Sequence, residues 1–111
     1  MIVLAQLNTI SGNIEYNKNK AIEYIKKAKQ LKANAIIFPE LYLSSNPIGN
    51  ILNRYPFIFK QIQNALEEII NQSENINILI GYPEKKEKDY SSSIALIQNK
   101  KIEKIITKEN K

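Results

Sequence analysis

The chain has 111 residues, enough for one small domain with its own core and too few for two. It contains no cysteine and no histidine, so these residues offer no disulfide, no thiolate metal site, no cysteine nucleophile and no histidine base. The net charge is +5, but the lysines are scattered along the chain rather than clustered, and we do not expect nucleic acid as a partner.

The N-terminal segment gives no sign of export or membrane insertion. Residues 2–5 form an apolar run far too short for a signal peptide, and no basic stretch precedes it. No apolar run approaches the length of a transmembrane helix. We therefore expect a cytoplasmic protein without a membrane partner and without a metal ion.

The first third of the chain predicts two strands with a helix between them. Residues 2–7 are apolar except for Gln6 and predict a strand buried on both faces. Residues 17–31 carry apolar side chains at helical spacing, with Asn17 as the expected N-cap. Residues 34–38 predict the second strand, whose apolar run 35–38 ends at Pro39. Strand, helix and strand with short connections predict a parallel pair.

The remainder of the chain predicts one helix followed by three strands. An apolar stripe at three- and four-residue spacing marks the helix, residues 57–71. Strands are predicted over residues 76–80, 90–97 and 101–107, the last two as an antiparallel hairpin. The turn 81–83 closes the first of these strands, and the charged segment 84–89 is interpreted as a solvated loop.

The predicted order, β-α-β-α-β-β-β, is typical of a layered α/β domain. Two helices can cover one face of such a sheet, although the strands are apolar on both sides. The other face would then be exposed. We expect this chain to be part of a larger fold, or to have that face covered by a complementing segment or by a second copy in a homo-oligomer.

Glu40 is the acidic residue that most suggests chemistry. It follows Pro39 directly, at the carboxyl end of the predicted parallel strand, where open α/β sheets place their ligands. Its apolar neighbours disfavour the charged form and should raise its pKa, which is what a general base working near neutrality requires. The alternative is an ordinary solvated loop carboxylate.

Three stretches resemble the N-terminal part of the nitrilase (carbon–nitrogen hydrolase) superfamily: Ala5-Gln-Leu-Asn8, Gly12-Asn13 and Ala35-Ile-Ile-Phe-Pro-Glu-Leu-Tyr-Leu-Ser44. That family opens with a strand ending in Ala-Gln, a Gly-Asp turn, an Asn-capped helix and Phe-Pro-Glu-Leu. Asn13 stands here where aspartate is usual. The resemblance implies an αββα sandwich, of which residues 1–111 would form the first part as a partial carbon–nitrogen hydrolase domain.

Later segments are similar to the glutaminase domain of glutamine-dependent NAD synthetases. Asn46-Pro47, Asn50-Ile-Leu-Asn-Arg54 and Phe57 resemble the segment Tyr-Pro-x-x-Asp-Leu-Leu-x-Arg-x-x-Phe of that subfamily. Residues 80–83 and 90–94 also fit it. The resemblance spans the whole chain.

The resemblance implies a catalytic set of glutamate, lysine and cysteine. Glu40 matches the general base by motif. Counting from Tyr90 without gaps places Lys108 at the lysine that stabilises the oxyanion, and Lys111 takes that place if the alignment shifts. A surface lysine without a catalytic role is the alternative for Lys108.

The cysteine of the family lies downstream of its lysine and has no counterpart in these residues. The resemblance thus implies a truncated glutamine amidohydrolase domain of a NAD synthetase, inactive alone, with glutamine as the substrate of the complete protein. No cofactor is expected in this chain, because ATP and deamido-NAD would belong to a missing synthetase domain. The alternatives are a fragment of another nitrilase-family amidase and a non-enzymatic interaction module.

Overall fold

The computed structural model describes residues 1–5, 13–38, 57–85 and 90–108. Five strands and two helices follow one another along these residues, in the order β1 (Ile2–Leu4), α1 (Ile14–Gln30), β2 (Ala35–Phe38), α2 (Ile58–Ile70), β3 (Asn77–Lys85), β4 (Tyr90–Gln98) and β5 (Lys101–Lys108). The predicted order of elements and the α/β class are confirmed.

The strands form one sheet in the order β1-β2-β3-β4-β5. The pairs β1–β2 and β2–β3 are parallel, as the strand-helix-strand pattern predicts, and β3–β4 and β4–β5 are antiparallel. Since β5 therefore runs in the same direction as β2, both strands end at the same side of the sheet. We call this side the carboxyl edge.

Helix α1 begins one turn earlier than its sequence predicts. The side chain of Asn13 accepts a hydrogen bond from the backbone N–H of Tyr16 at 3.0 Å, which satisfies one of the donors that the first helical turn leaves unpaired. The prediction that Asn17 caps the helix was wrong, because Asn17 lies inside α1 and is fully buried.

The two helices pack on each other and on β2 and β3. The predicted apolar stripe of α2 is confirmed as a buried surface, formed by Ile58, Ile62, Ala65, Leu66 and Ile69. Helix α1 contributes Ala21, Ile25 and Ala28, and the sheet contributes Ile36, Ile78, Ile80 and Ile97, all almost inaccessible to solvent. The core therefore lies between the helices and one face of the sheet.

The opposite face of the sheet carries exposed apolar side chains. Ile2 and Leu4 on β1 are 67% and 59% exposed, and Ile94 and Ile106, which pair across β4 and β5, are 39% and 56% exposed. We call these four residues the open face. The prediction that the first strand is buried on both sides was wrong, because the helices cover only the side on which Val3 lies.

Strand β3 is longer than its sequence predicts. The strand does not end at Ile80 but continues to Lys85, through the predicted turn and into the segment interpreted as a solvated loop. It pairs with β4 over this whole length. Among the described residues β2 pairs with β3 only as far as Ile80. Pro83, which has no N–H group to donate, lies beyond these pairs.

The β4–β5 hairpin is confirmed, with Asn99 and Lys100 as its two turn residues. Their φ angles of 50° and 63° are the left-handed values that a tight two-residue hairpin turn requires. In the described part of the chain, neither helix is long and apolar enough to cross a lipid bilayer.

Candidate functional site

The strand that leads to Glu40 is part of the described structure, whereas Glu40 itself lies outside it. Strand β2 ends at Phe38, which is 3% exposed and pairs with Ile80 of β3. Lys111 and the segment 46–54 also lie outside the described residues. The prediction that Glu40 is a general base therefore stays a prediction.

Lys108 is the last residue of β5, and its backbone pairs with Ser92 of β4, which in turn pairs with Pro83 of β3. The strand order places β5 three strands away from β2. Neighbouring strands are about 4.8 Å apart, so the ends of β2 and β5 are separated by about 14 Å along the carboxyl edge. The topology thus places the backbone of Lys108 at the same edge of the sheet as the end of β2, the strand that precedes Pro39 and Glu40 in the sequence.

A polar cluster lies near the carboxyl edge, on the side of the sheet that the helices cover. The Ser93 hydroxyl donates to Oε1 of Glu84 at 3.1 Å and lies 3.2 Å from the Thr107 hydroxyl. The Thr107 hydroxyl is also 3.4 Å from the same carboxylate oxygen. Ser93 is fully buried, so its hydroxyl depends on these partners for its hydrogen bonds.

Tyr82 flanks the cluster and pairs with Ser93 across β3 and β4. Burial raises the pKa of the Tyr82 phenol, and the negative charge of Glu84 raises this pKa further. Both causes disfavour a phenolate. Tyr82 therefore stays a neutral hydroxyl beside the Glu84 carboxylate over the physiological pH range.

The sequence did not predict this cluster. Glu84 was assigned to a solvated loop because it begins a charged segment, but β3 carries it into the sheet. The available signal was strand alternation, since Ser93 and Thr107 occupy inward positions of β4 and β5 where neighbouring inward positions are apolar. Among the described residues, no three His, Cys, Asp or Glu side chains are grouped so that they could hold a metal ion.

Sequence comparison finds similarity to NAD+ synthetases. The chain is 34% identical over 79 residues to the glutamine-dependent NAD+ synthetase of Aquifex aeolicus, an alignment that covers 71% of this chain and 14% of that protein. The chain thus spans about a seventh of the length of this curated relative. No protein-family model matches the chain.

Solved structures share the fold. The glutamine-dependent NAD+ synthetase of Acinetobacter baumannii superposes with a TM-score of 0.87 at 30% identity, covering 98% of this chain and 20% of that one. An amidase from Nesterenkonia sp. superposes with a TM-score of 0.83 at 14% identity, covering 96% of this chain and 41% of that one. The first resemblance extends to the sequence, and the second concerns the fold alone.

Proposed function

Since this chain is a relative of the glutamine-dependent NAD+ synthetases and has the fold of the nitrilase superfamily, we propose that it belongs to a glutamine amidohydrolase that supplies ammonia for NAD synthesis. The observation that carries the proposal is the identity to a NAD+ synthetase over most of the chain, together with the matching fold. Glu40 and Lys108 are its proposed catalytic residues, as general base and as oxyanion stabiliser.

In the proposed reaction a thiol attacks the side-chain amide carbon of glutamine. Glu40 takes the proton of the thiol as the carbon–sulfur bond forms, and the electron pair of the carbonyl moves to its oxygen. The ammonium group of Lys108 stabilises the negative oxygen. Return of the proton from Glu40 to the nitrogen releases ammonia and leaves a thioester. Water, activated by Glu40, then cleaves the thioester to give glutamate and the free thiol, while Lys108 again stabilises the oxyanion.

The thiol is the part of this chemistry that these 111 residues lack, because none of them is cysteine. We propose that the chain alone does not hydrolyse glutamine, and that a cysteine from another segment completes the site. ATP and deamido-NAD would bind to a synthetase domain, and we assign no cofactor to the present residues. A cytoplasmic location goes with this proposal.

The open face supports a covering partner. Ile2, Leu4, Ile94 and Ile106 expose apolar surface on the side of the sheet away from the helices, and contiguous apolar surface is typical of an interface. We propose that a complementing segment of the same domain, or a second copy of the chain, packs on this face. Neither a membrane nor a nucleic acid is part of the proposal.

The test is glutamine hydrolysis by the protein in the longest form that its gene encodes, followed as ammonia release. The Glu40→Gln variant should lose activity by about a thousandfold, the usual contribution of a general base, and Lys108→Met should lose activity to a similar degree. Glu74→Gln, which changes an exposed carboxylate in the turn between α2 and β3, is the matched control and should retain full activity.

Three outcomes would count against the proposal. Undiminished turnover in Glu40→Gln would remove this residue as the base. Glutamine hydrolysis by the 111-residue chain alone would contradict the need for an external thiol. Turnover of simple aliphatic amides in preference to glutamine would favour the alternative of a general amidase.

A further inference from the structure

The cluster of Glu84, Ser93 and Thr107 joins three neighbouring strands by side-chain contacts. Glu84 lies on β3, Ser93 on β4 and Thr107 on β5, and their polar atoms lie 3.1 to 3.4 Å apart. Thr107 immediately precedes Lys108. The cluster therefore holds the end of β5 at the residue next to the proposed oxyanion stabiliser.

The protons of the cluster can be counted. An ionised carboxylate only accepts hydrogen bonds, and each hydroxyl donates one proton. Ser93 gives its proton to Glu84, so the Thr107 hydroxyl is the donor in its contact with Ser93 or donates to Glu84 instead. Ser93 keeps Glu84 as a partner in any case, but the contacts of the Thr107 hydroxyl with Ser93 and Glu84 exist only while Thr107 lies beside Ser93.

The hairpin turn does not by itself determine where Thr107 lies. Near the turn Ile97 pairs with Ile102, but the next pair is Leu96 with Lys104, so that Glu103 is an extra residue on β5. A bulge of this kind shifts the pairing by one residue. Two registers are thus available to the end of β5, one with the bulge and one without it.

The two registers differ in what they place opposite the buried serine. In the observed register Ser93 pairs with Thr107 and Ser92 with Lys108. Without the bulge, Ser93 would lie opposite Ile106 and would lose the hydroxyl contact. A shift of one residue changes the partner of every residue in the segment, so the register decides whether the backbone of Lys108 lies opposite Ser92, as observed, or opposite Ser91.

We propose that Glu84, Ser93 and Thr107 are positioning residues, which select the bulged register of β5 through their hydrogen bonds and thereby set the place of Lys108. In the register without the bulge the Thr107 hydroxyl loses its contacts with Ser93 and Glu84, and the loss of these hydrogen bonds disfavours that register. The inference rests on the proposed function only for the role of Lys108, because the selection of register is a property of the strands.

The experiment compares Thr107→Val with Thr107→Ser in the full chain by NMR. Thr107 is exposed, and valine has nearly the same shape and suits a strand, so the valine variant is expected to fold. It should show a second set of β5 signals with a cross-strand contact between Ser93 and Ile106, and about tenfold faster amide hydrogen exchange over residues 103–108. Thr107→Ser, which keeps the hydroxyl, should behave as the unchanged protein.

A second readout concerns Lys108 itself. Its Cε resonance is assigned by its loss in Lys108→Arg. The chemical shift of this resonance should change in Thr107→Val and in Ser93→Ala, and should equal that of the unchanged protein in Thr107→Ser. A single register in Thr107→Val, with exchange changed by less than about twofold, would overturn the proposal. A register change that leaves the Lys108 resonance in place would overturn the positioning role.

These results are separate from the test of the proposed function. If Lys108→Met retained glutamine turnover while Thr107→Val still changed the register, the catalytic role of Lys108 would fail and the selection of register would stand. If Lys108→Met lost turnover while Thr107→Val kept a single register, the positioning role would fail and the catalytic role would stand.

Discussion

The Nζ atom of Lys18 on α1 lies 2.9 Å from a carboxylate oxygen of Glu68 on α2, and this ion pair joins the two helices that cover the sheet. The same ammonium group lies 2.9 Å from Glu15, one turn earlier on α1. The Lys18 side chain is only 5% exposed, while Glu68 is 55% exposed. A nearly buried ammonium has lost most of its water and depends on these carboxylates.

The Glu68→Gln variant should lower the free energy of unfolding by about 1 kcal/mol, because the Lys18 ammonium then keeps only one anionic partner; the half-exposed position of Glu68 keeps the effect this small. The double variant Lys18→Met with Glu68→Gln should recover most of the loss. Urea unfolding followed by circular dichroism measures both. Glu67→Gln, an exposed neighbour on α2, is the control and should change the stability by less than about 0.5 kcal/mol.

Lys18 also makes the stability depend on alkaline pH. The hydrogen bond to Glu15 raises the pKa of Lys18, burial lowers it, and the contacts with Glu68 raise it again. The net result is a pKa above the ordinary value of 10.5. A group whose pKa is raised by folding stabilises the native state fully below its unfolded pKa, and this contribution is lost as the pH rises through the folded pKa. The contribution of Lys18 is therefore complete at neutral pH and declines above 10.5.

Urea unfolding between pH 8 and about 11.5 tests this dependence, with Lys18→Met as the reference for all other titrating groups. Above pH 10.5, the ordinary pKa of a lysine, the free energy of unfolding should fall more in the unchanged protein than in the variant. Two curves that stay parallel over the whole range would show that Lys18 makes no such contribution.

The N-cap of α1 offers a third test. Asn13→Ala removes the side chain that accepts from the Tyr16 N–H and should reduce the free energy of unfolding by about 1 kcal/mol. The matched control is Asn19→Ala, which changes an exposed position inside the same helix, where alanine is the better helix former. Asn19→Ala should be neutral or slightly stabilising, and an equal loss in both variants would argue against the cap.

The open face predicts self-association of the chain at raised concentration. Changing Ile94 and Ile106 together to threonine keeps strand-forming residues and removes apolar surface, and each buried isoleucine is worth about 1.5–3 kcal/mol. The double variant should therefore weaken association by about tenfold or more. Sedimentation equilibrium measures the change, with Leu31→Thr, an apolar residue exposed on the helix side, as the control. An unchanged dissociation constant in the double variant would place the contact elsewhere.

Sequence periodicity predicted every described element, because apolar spacing records which side of each element is buried. Boundaries were less predictable where two signals competed. Asn13 and Asn17 are both suitable caps, and only the packing of Asn17 inside the core decides between them. Likewise, Pro83 followed by charged residues is typical of a turn, but the long pairing with β4 extends β3 through it.

By itself the sequence determined the α/β class, the order of the elements, the candidate base at Glu40 and the absence of a thiol from these residues, since all of these depend on local pattern or composition. Only the tertiary structure decided that Ile94 and Ile106 share an open face, and that Glu84, Ser93 and Thr107 meet across three strands. Contacts between distant residues depend on strand register, and a single bulge changes this register.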